Sequence, residues 1–236
     1  MTSLLSDCAI VSDVHYNAKD TDFIQHLERV ENSQIILNGD IFELLSAPLI
    51  SSIAYNQSLI DAINHLCKTK QVVYLEGNHD FRLQGIFPDA QIIPLAEQPL
   101  VCEYEGQKIY ISHGDIYLQD KLYSAYTAFI RNKWVIKAID FIDGLGKNWI
   151  FSNIISKQTK RKKCKKIEHF ASIARHKLAN YPSDAQVIIE GHYHQGGSYT
   201  THSDKTRKYI NLSAFCCEKK IYTIDELLRS TNVNEI

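Results

Sequence analysis

The 236-residue chain carries almost no net charge, with 26 Lys and Arg against 27 Asp and Glu. A protein that coats nucleic acid without regard to sequence would be strongly basic, so that class is excluded. Long apolar runs are also missing. The longest uncharged stretch, 44–60, is broken by Pro48, Asn56 and Gln57, so no bilayer-spanning helix is expected. The N-terminus has neither a basic region nor an apolar core of the secretory type. None of the six cysteines stands in C-x-x-C spacing, and a chain of this length needs no stapling. They are expected to be reduced thiols, the adjacent Cys216 and Cys217 included, in a cytosolic protein. The ten glycines and five prolines form no linker, and there is no internal repeat.

What is present is a series of short apolar runs, each ending in a polar cluster. Cys8-Ala9-Ile10-Val11 leads to Ser12-Asp13-Val14-His15, and Ile35-Ile36-Leu37 to Asn38-Gly39-Asp40. Val72-Val73-Tyr74-Leu75 leads to Gly77-Asn78-His79-Asp80, and Lys108-Ile109-Tyr110-Ile111 to Ser112-His113-Gly114-Asp115. Val187-Ile188-Ile189 leads to Gly191-His192-Tyr193-His194. Buried strands with chemistry on the loops at their ends read this way. Helical patterns at 22–30 and 58–67 separate the first three runs, which predicts parallel strands with crossover helices. Segments 100–104, 108–112, 199–202, 208–211 and 220–224 predict a second, mixed sheet, with a tight turn at Glu105-Gly106.

Hard divalent cations need oxygen and imidazole ligands that converge from several loops, and a two-metal site needs a carboxylate able to bridge. The strand ends supply Asp13, His15, Asp40, Asn78, His113, His192 and His194. Each cluster alone reads more readily as a capped turn, but the ordered set points to metal chemistry.

This set, in this order, resembles the calcineurin-like metallophosphoesterase superfamily. The resemblance implies a four-layer α/β/β/α sandwich spanning 1–236 as a single domain. It also implies one metal held by Asp13, His15 and His194, another by Asn78, His113 and His192, and Asp40 bridging both. His79 would be the non-ligand histidine that stabilises the transition state or protonates the leaving group, oriented by Asp80. Glu43 reads as an outer supporting group of the site or as a surface or helix-start carboxylate. Within the superfamily the chain is similar to bacterial UDP-2,3-diacylglucosamine pyrophosphatases of lipid A synthesis. Their length, ligand spacing, Gly39-Asp40-Ile41-Phe42-Glu43 and Gly77-Asn78-His79-Asp80-Phe81 correspond. That implies two divalent cations, Mn²⁺ first with Fe²⁺ or Zn²⁺ as alternatives. It also implies a lipid-linked sugar nucleotide as substrate, and a cytoplasmic enzyme peripheral to the inner membrane. The chain departs from many members in having His79 where they have arginine. Arg82, or the lysines Lys163, Lys165 and Lys166, would then contact the diphosphate with Asn78.

Residues 117–181 read as a helical insertion that would form a lid. Its apolar residues, among them Tyr123, Phe129, Trp134, Phe141, Trp149 and Phe151, either bind acyl chains or form the insertion's own core. The run 157–166 has seven bases and no acid. A solvated helix face, a grip on the diphosphate and attraction to anionic headgroups compete as its meaning. Without it the chain holds 19 bases against 27 acids, so near-neutrality is the sum of an acidic body and a basic patch. His26, His65, His169, His176 and His202 have no partner motifs and read as structural or surface residues. Two other classes stay open: a phosphoprotein phosphatase or nucleotide phosphodiesterase using the same centre, and a metal-free binding scaffold.

Overall fold

Short runs of Ile, Val and aromatic residues favour extended backbone, and where both faces are apolar the strand must be covered on both sides. The computed structural model describes residues 2–118, 120–201, 206–230 and 233–235. Its first sheet runs in the order β11 (Tyr222–Thr223), β2 (Ala9–Val11), β3 (Gln34–Asn38), β4 (Gln71–Leu75) and β5 (Gln91–Ile93). β2 to β5 are parallel, with α1 (Asp22–Glu28) and α2 (Ile50–Leu66) as crossovers. The second sheet is mixed. Its order is β1 (Thr2–Ser3), β6 (Leu100–Tyr104), β7 (Gln107–Ser112), β8 (Val187–Glu190), β10 (Arg207–Asn211), β9 (Gly197–Thr201) and β12 (Val233–Glu235). β6 and β7 pair antiparallel across Glu105 and Gly106, both at positive φ as a tight hairpin turn requires.

Alternation along the strands builds the layers. Ile10, Ile36, Val73 and Leu75 pack against Cys102, Ile109, Ile111, Ile189 and Ile210 of the second sheet. Their neighbours Ala9, Val11, Ile35, Leu37 and Val72 face Phe23 and Leu27 of α1 and Leu59 and Ile63 of α2. On the far side, Tyr110, Ile188 and Tyr209 lie under Phe170, Ala174 and Leu178 of α6 (Phe170–Asn180). The result is the helix–sheet–sheet–helix order expected from the sequence. Each fully buried Ile, Val or Leu contributes roughly 1.5–3 kcal/mol.

Between β7 and β8 come α3 (Lys121–Ile130), α4 (Lys133–Leu145), α5 (Trp149–Thr159) and α6. Ile136, Phe151 and Ile155 pack on Leu49 and Phe81 of the sandwich, and α7 (Phe215–Glu218) and α8 (Ile224–Arg229) flank β11. The same contacts correct one boundary. α2 begins at Ile50 rather than 58, because Asp140 of α4 accepts the Ile50 amide at 2.8 Å and Asp143 accepts the Ser51 hydroxyl at 3.3 Å. A carboxylate at a helix N-terminus satisfies an orphan donor and the helix dipole, and this one is 90 residues away.

Three other expectations change. The segment at 220–224 does not join the second sheet: β11 pairs antiparallel with β2, because α7 hydrogen-bonds back to the Ser12-Asp13 turn. The basic run is not a helix face beyond Lys157; α5 ends at Thr159, and most of the run lies in a strap without regular structure. The cysteines are not all thiols. Cys164 of that strap is bonded to Cys217 of α7 across 53 residues, while Cys8, Cys67, Cys102 and Cys216 are free. Pairing at such separation depends on the fold and cannot be read from spacing. Alkylation of the denatured protein should therefore label four cysteines without reductant and six after reduction. Six labelled without reductant would remove the bridge.

Candidate metal centre

The five expected strand-end clusters meet at one edge of the sandwich. Of the seven candidate ligands, Asp13, His15, Asp40, His192 and His194 have φ between 50° and 66°. Left-handed backbone costs an L-residue roughly 1–2 kcal/mol, and persists where the surroundings impose it. Here the turns hold one another: the amides of Asp13 and His15 donate to the carbonyls of Gly39 and Asp40, and the Gly191 amide donates to His113. The His192 amide donates to the Asp13 carboxylate at 2.9 Å. Glycine is required where turns touch. A Cβ on Gly77 would lie 2.3 Å from Asp40 Oδ1, and one on Gly191 1.9 Å from Ser12 Oγ.

The side chains form two groups that share Asp40's surroundings. His194 Nε2 lies 3.0 Å from Asp13 Oδ1, and these two cluster with His15. His113 Nε2 lies 3.3 Å from Asn78 Oδ1, 3.3 Å from His192 Nδ1 and 3.5 Å from Asp40 Oδ1. The other Asp40 oxygen is 4.0 Å from the Nε2 atoms of both His15 and His79. Asp13, His15, Asp40 and His113 are buried.

Burial pushes His192 down to about 4, helped by the charge on His113, and it holds His15 well below its ordinary value. For His113 burial works the same way, but the Asp40 carboxylate outweighs it and raises the imidazole well above its usual range. Burial likewise opposes ionisation of Asp40, and His113 and His79 overcome it. The donor set therefore fits hard or borderline divalent cations. Two carboxylates and two neutral imidazoles converge, His15 Nδ1 and Glu43 Oε2 are buried without a hydrogen-bond partner, and the two imidazole nitrogens of His113 and His192 face each other.

The His79 ring is oriented differently from the expectation. Asp80 does not touch it; Glu43's carbonyl accepts from His79 Nδ1 at 2.7 Å, leaving Nε2 toward Asp40. The Asp80 carboxylate is occupied by the amides of Asp40, Ile41, Phe42 and Gly77 and the Tyr74 hydroxyl, at 2.6–3.2 Å. Glu43, which the sequence left between site and surface, is 2% exposed, 3.7 Å from His15 Nδ1, and paired with Lys163.

The expected diphosphate contacts separate. Arg82 is exposed, its Nε donates to the Arg131 carbonyl, and it lines a different cavity with Glu76 and Leu95. Lys163 is engaged by Glu43, and its carbonyl lies 2.7 Å from His194 Nδ1. Lys166 donates to the Gln195 carbonyl, and Lys165 is exposed. Asn78 and His79 line a cavity of about 490 Å³ that continues past Tyr123, Ile136, Ile139 and Ile154 to Gln158 and Arg161. Arg161 is exposed but lines the far end of this cavity, and nothing in a run of bases marks the one that does so. His176 lines a smaller cavity beside His192, while His202 lies outside the described residues.

A double-sheet sandwich with facing clusters of imidazole and carboxylate at its strand ends belongs to the proteins built around a metal pair. The calcineurin-like phosphoesterase family matches residues 8–196, and the chain belongs to that family. It is 25% identical over 134 residues to the UDP-2,3-diacylglucosamine hydrolase of Coxiella burnetii (strain RSA 331), covering 54% of this chain and 55% of the relative. The chain thus spans about half the length of that relative. With the enzyme of the same name from Aliivibrio fischeri (strain MJ11) the identity is 24% over 219 residues, covering 91% and 90%. A crystal structure of a protein of unknown function from Aquifex aeolicus superposes with a TM-score of 0.48 at 12% identity, covering 94% of this chain and 97% of that one.

Removing the Asp80 carboxylate strands five donors in a buried turn. Asp80→Ala should destabilise the fold by roughly 3 kcal/mol or more, read as a shifted urea midpoint. A shift under about 1 kcal/mol would show that the turn holds without it.

Proposed function

We propose that the chain hydrolyses the diphosphate of UDP-2,3-diacylglucosamine, consuming one water and giving UMP and 2,3-diacylglucosamine 1-phosphate. The observation that carries this substrate is the cavity running from Asn78 and His79 into the apolar faces of α3, α4 and α5. A phosphate bond placed at the polar end would leave acyl chains at the apolar end, where each buried CH₂ is worth roughly 0.8 kcal/mol. The relatives' names support the same choice. A soluble phosphoprotein or cyclic nucleotide would gain nothing from such a cavity.

In this reading Asp13, His15 and His194 hold one cation, Asn78, His113 and His192 hold the other, and Asp40 stands between them. Mn²⁺ is the proposed occupant, and Fe²⁺ or Zn²⁺ suit the same donors. When bound, such a pair lowers the pKa of water and neutralises phosphate oxygens. His79, fixed through Nδ1, presents Nε2 to deliver a proton to the departing oxygen. Arg161 faces the diphosphate in place of Arg82. The helices over the cavity act as the lid.

The outer surface of these helices fits an anionic membrane. Trp134, Phe141, Leu145 and Trp149 are 68–75% exposed, and the exposed Lys133, Lys137 and Lys147 lie among them in sequence. No helix among the described residues is long and apolar enough to cross a membrane. The proposed location is peripheral, on the cytoplasmic face of the inner membrane, as suits an enzyme acting on a lipid-linked sugar nucleotide.

With Mn²⁺ and the diacylated sugar nucleotide, the protein should release UMP. Turnover confined to bis-p-nitrophenyl phosphate or cyclic nucleotides would sink the substrate assignment. His79→Ala should leave metal content unchanged and slow turnover roughly 10²–10⁴-fold; loss of metal in that variant would make His79 a ligand instead.

A further inference from the structure

Lys177 is a lysine of α6 that is 1% exposed, and its ammonium group has three donors to satisfy. It donates to the carbonyls of Gly114 at 2.7 Å and Ile116 at 2.5 Å, and to the Glu190 carboxylate at 3.3 Å. Gly114 and Ile116 belong to the turn that follows His113. Glu190 ends β8, one residue before the Gly191-His192 turn. The two turns touch, since a Cβ on Gly114 would stand 3.0 Å from the His192 Cβ. One side chain from the insertion thus pins both.

A second base grips the same turn. Arg131, just after α3, donates through Nη2 to Asp115 at 3.1 Å and to the Gly77 carbonyl at 2.6 Å, next to Asn78. The backbone segments that carry Asn78, His113 and His192 are therefore all tied to cations of the insertion. Those of Asp13 and His15 are tied to the sandwich through Gly39 and Asp40.

We propose that Lys177 is a positioning residue that couples α6 to the Asn78–His113–His192 half of the metal centre, which rests on the two-cation reading above. Without its ammonium the Gly114 and Ile116 carbonyls lose their buried donor and turn toward water. His113 and His192 then leave the arrangement that lets them act together. The other half-site is disturbed less: Asp13 and His15 are anchored through Gly39 and Asp40, and His194, though on the same turn as His192, is held by its Nδ1 contact with the Lys163 carbonyl. Groups that orient metal ligands in this way typically change affinity 10–100-fold when removed.

The test uses the full chain with Lys177→Met and Glu190→Gln combined. Replacing a buried ion pair by neutral side chains of similar volume is often close to neutral for stability, and the glutamine amide oxygen can still accept from the Tyr181, Tyr209 or Ser112 hydroxyls that donate to Glu190, so this variant should fold. Chelator-treated wild type and variant are titrated with Mn²⁺ by calorimetry and by electron paramagnetic resonance, with circular dichroism as the fold control. The expected result is two sites in the wild type. In the folded variant, one should weaken about 10–100-fold and the other clearly less, with loss of the spin-coupled signal. Wild-type affinity at both sites, or an equal loss at both, overturns the proposal. So does a variant that does not fold, because the Lys177–Glu190 pair would then be structural. Fewer than two sites in the wild type overturns the metal-pair reading itself, and the inference with it.

Discussion

One buried carboxylate sets the geometry on which the site depends. Asp80 gathers four backbone amides and a tyrosine hydroxyl, and so joins the turn after β3 to the turn after β4. A carboxylate without those donors would be costly in a position that is 0% exposed. With them it holds Asp40 in its left-handed conformation and brings the His79 amide to Asp40 Oδ1 at 2.8 Å. The remaining turns then lock onto this pair through backbone hydrogen bonds and through the Asp13 carboxylate, which accepts the His192 amide.

The insertion between β7 and β8 does more than cover this edge. Asp140 and Asp143 complete the start of α2, and Arg131 and Lys177 hold the turn after His113. The strap after α5 sets Lys163 against Glu43 and its carbonyl against His194, and Cys164 bonds it to Cys217. Its apolar residues divide by position. Ile136, Phe151 and Ile155 pack inward, whereas Trp134, Phe141 and Trp149 face outward. Internal core and exposed apolar surface therefore coexist in one set of amphipathic helices.

Much of this was legible in the residues. Apolar runs ending in polar clusters marked the buried strands, because a strand covered on both faces has no polar position until it ends. Parallel crossovers then put those ends on one edge, so the seven candidate ligands converge as their order suggested. Glu43 stayed ambiguous because a carboxylate three residues after Asp40 looks the same whether a partner reaches it or not. Asp80 stood beside His79 in sequence yet served amides instead, since adjacent side chains in a turn point apart.

The sequence by itself determined the two-sheet class, the set of candidate ligands and the presence of a basic, aromatic insertion, all of which follow from local pattern and chain order. Only the tertiary structure decided the pairing of Cys164 with Cys217, the start of α2, the partner of Glu43, and which bases reach the site's surroundings: Lys163 through Glu43, and Arg161 at the far end of the cavity, but not Arg82. The disulfide, the α2 start and the Lys163–Glu43 pair each depend on partners 53 to 120 residues apart. Periodicity and spacing carry no information about contacts at that distance, because they arise from packing the insertion against the sandwich.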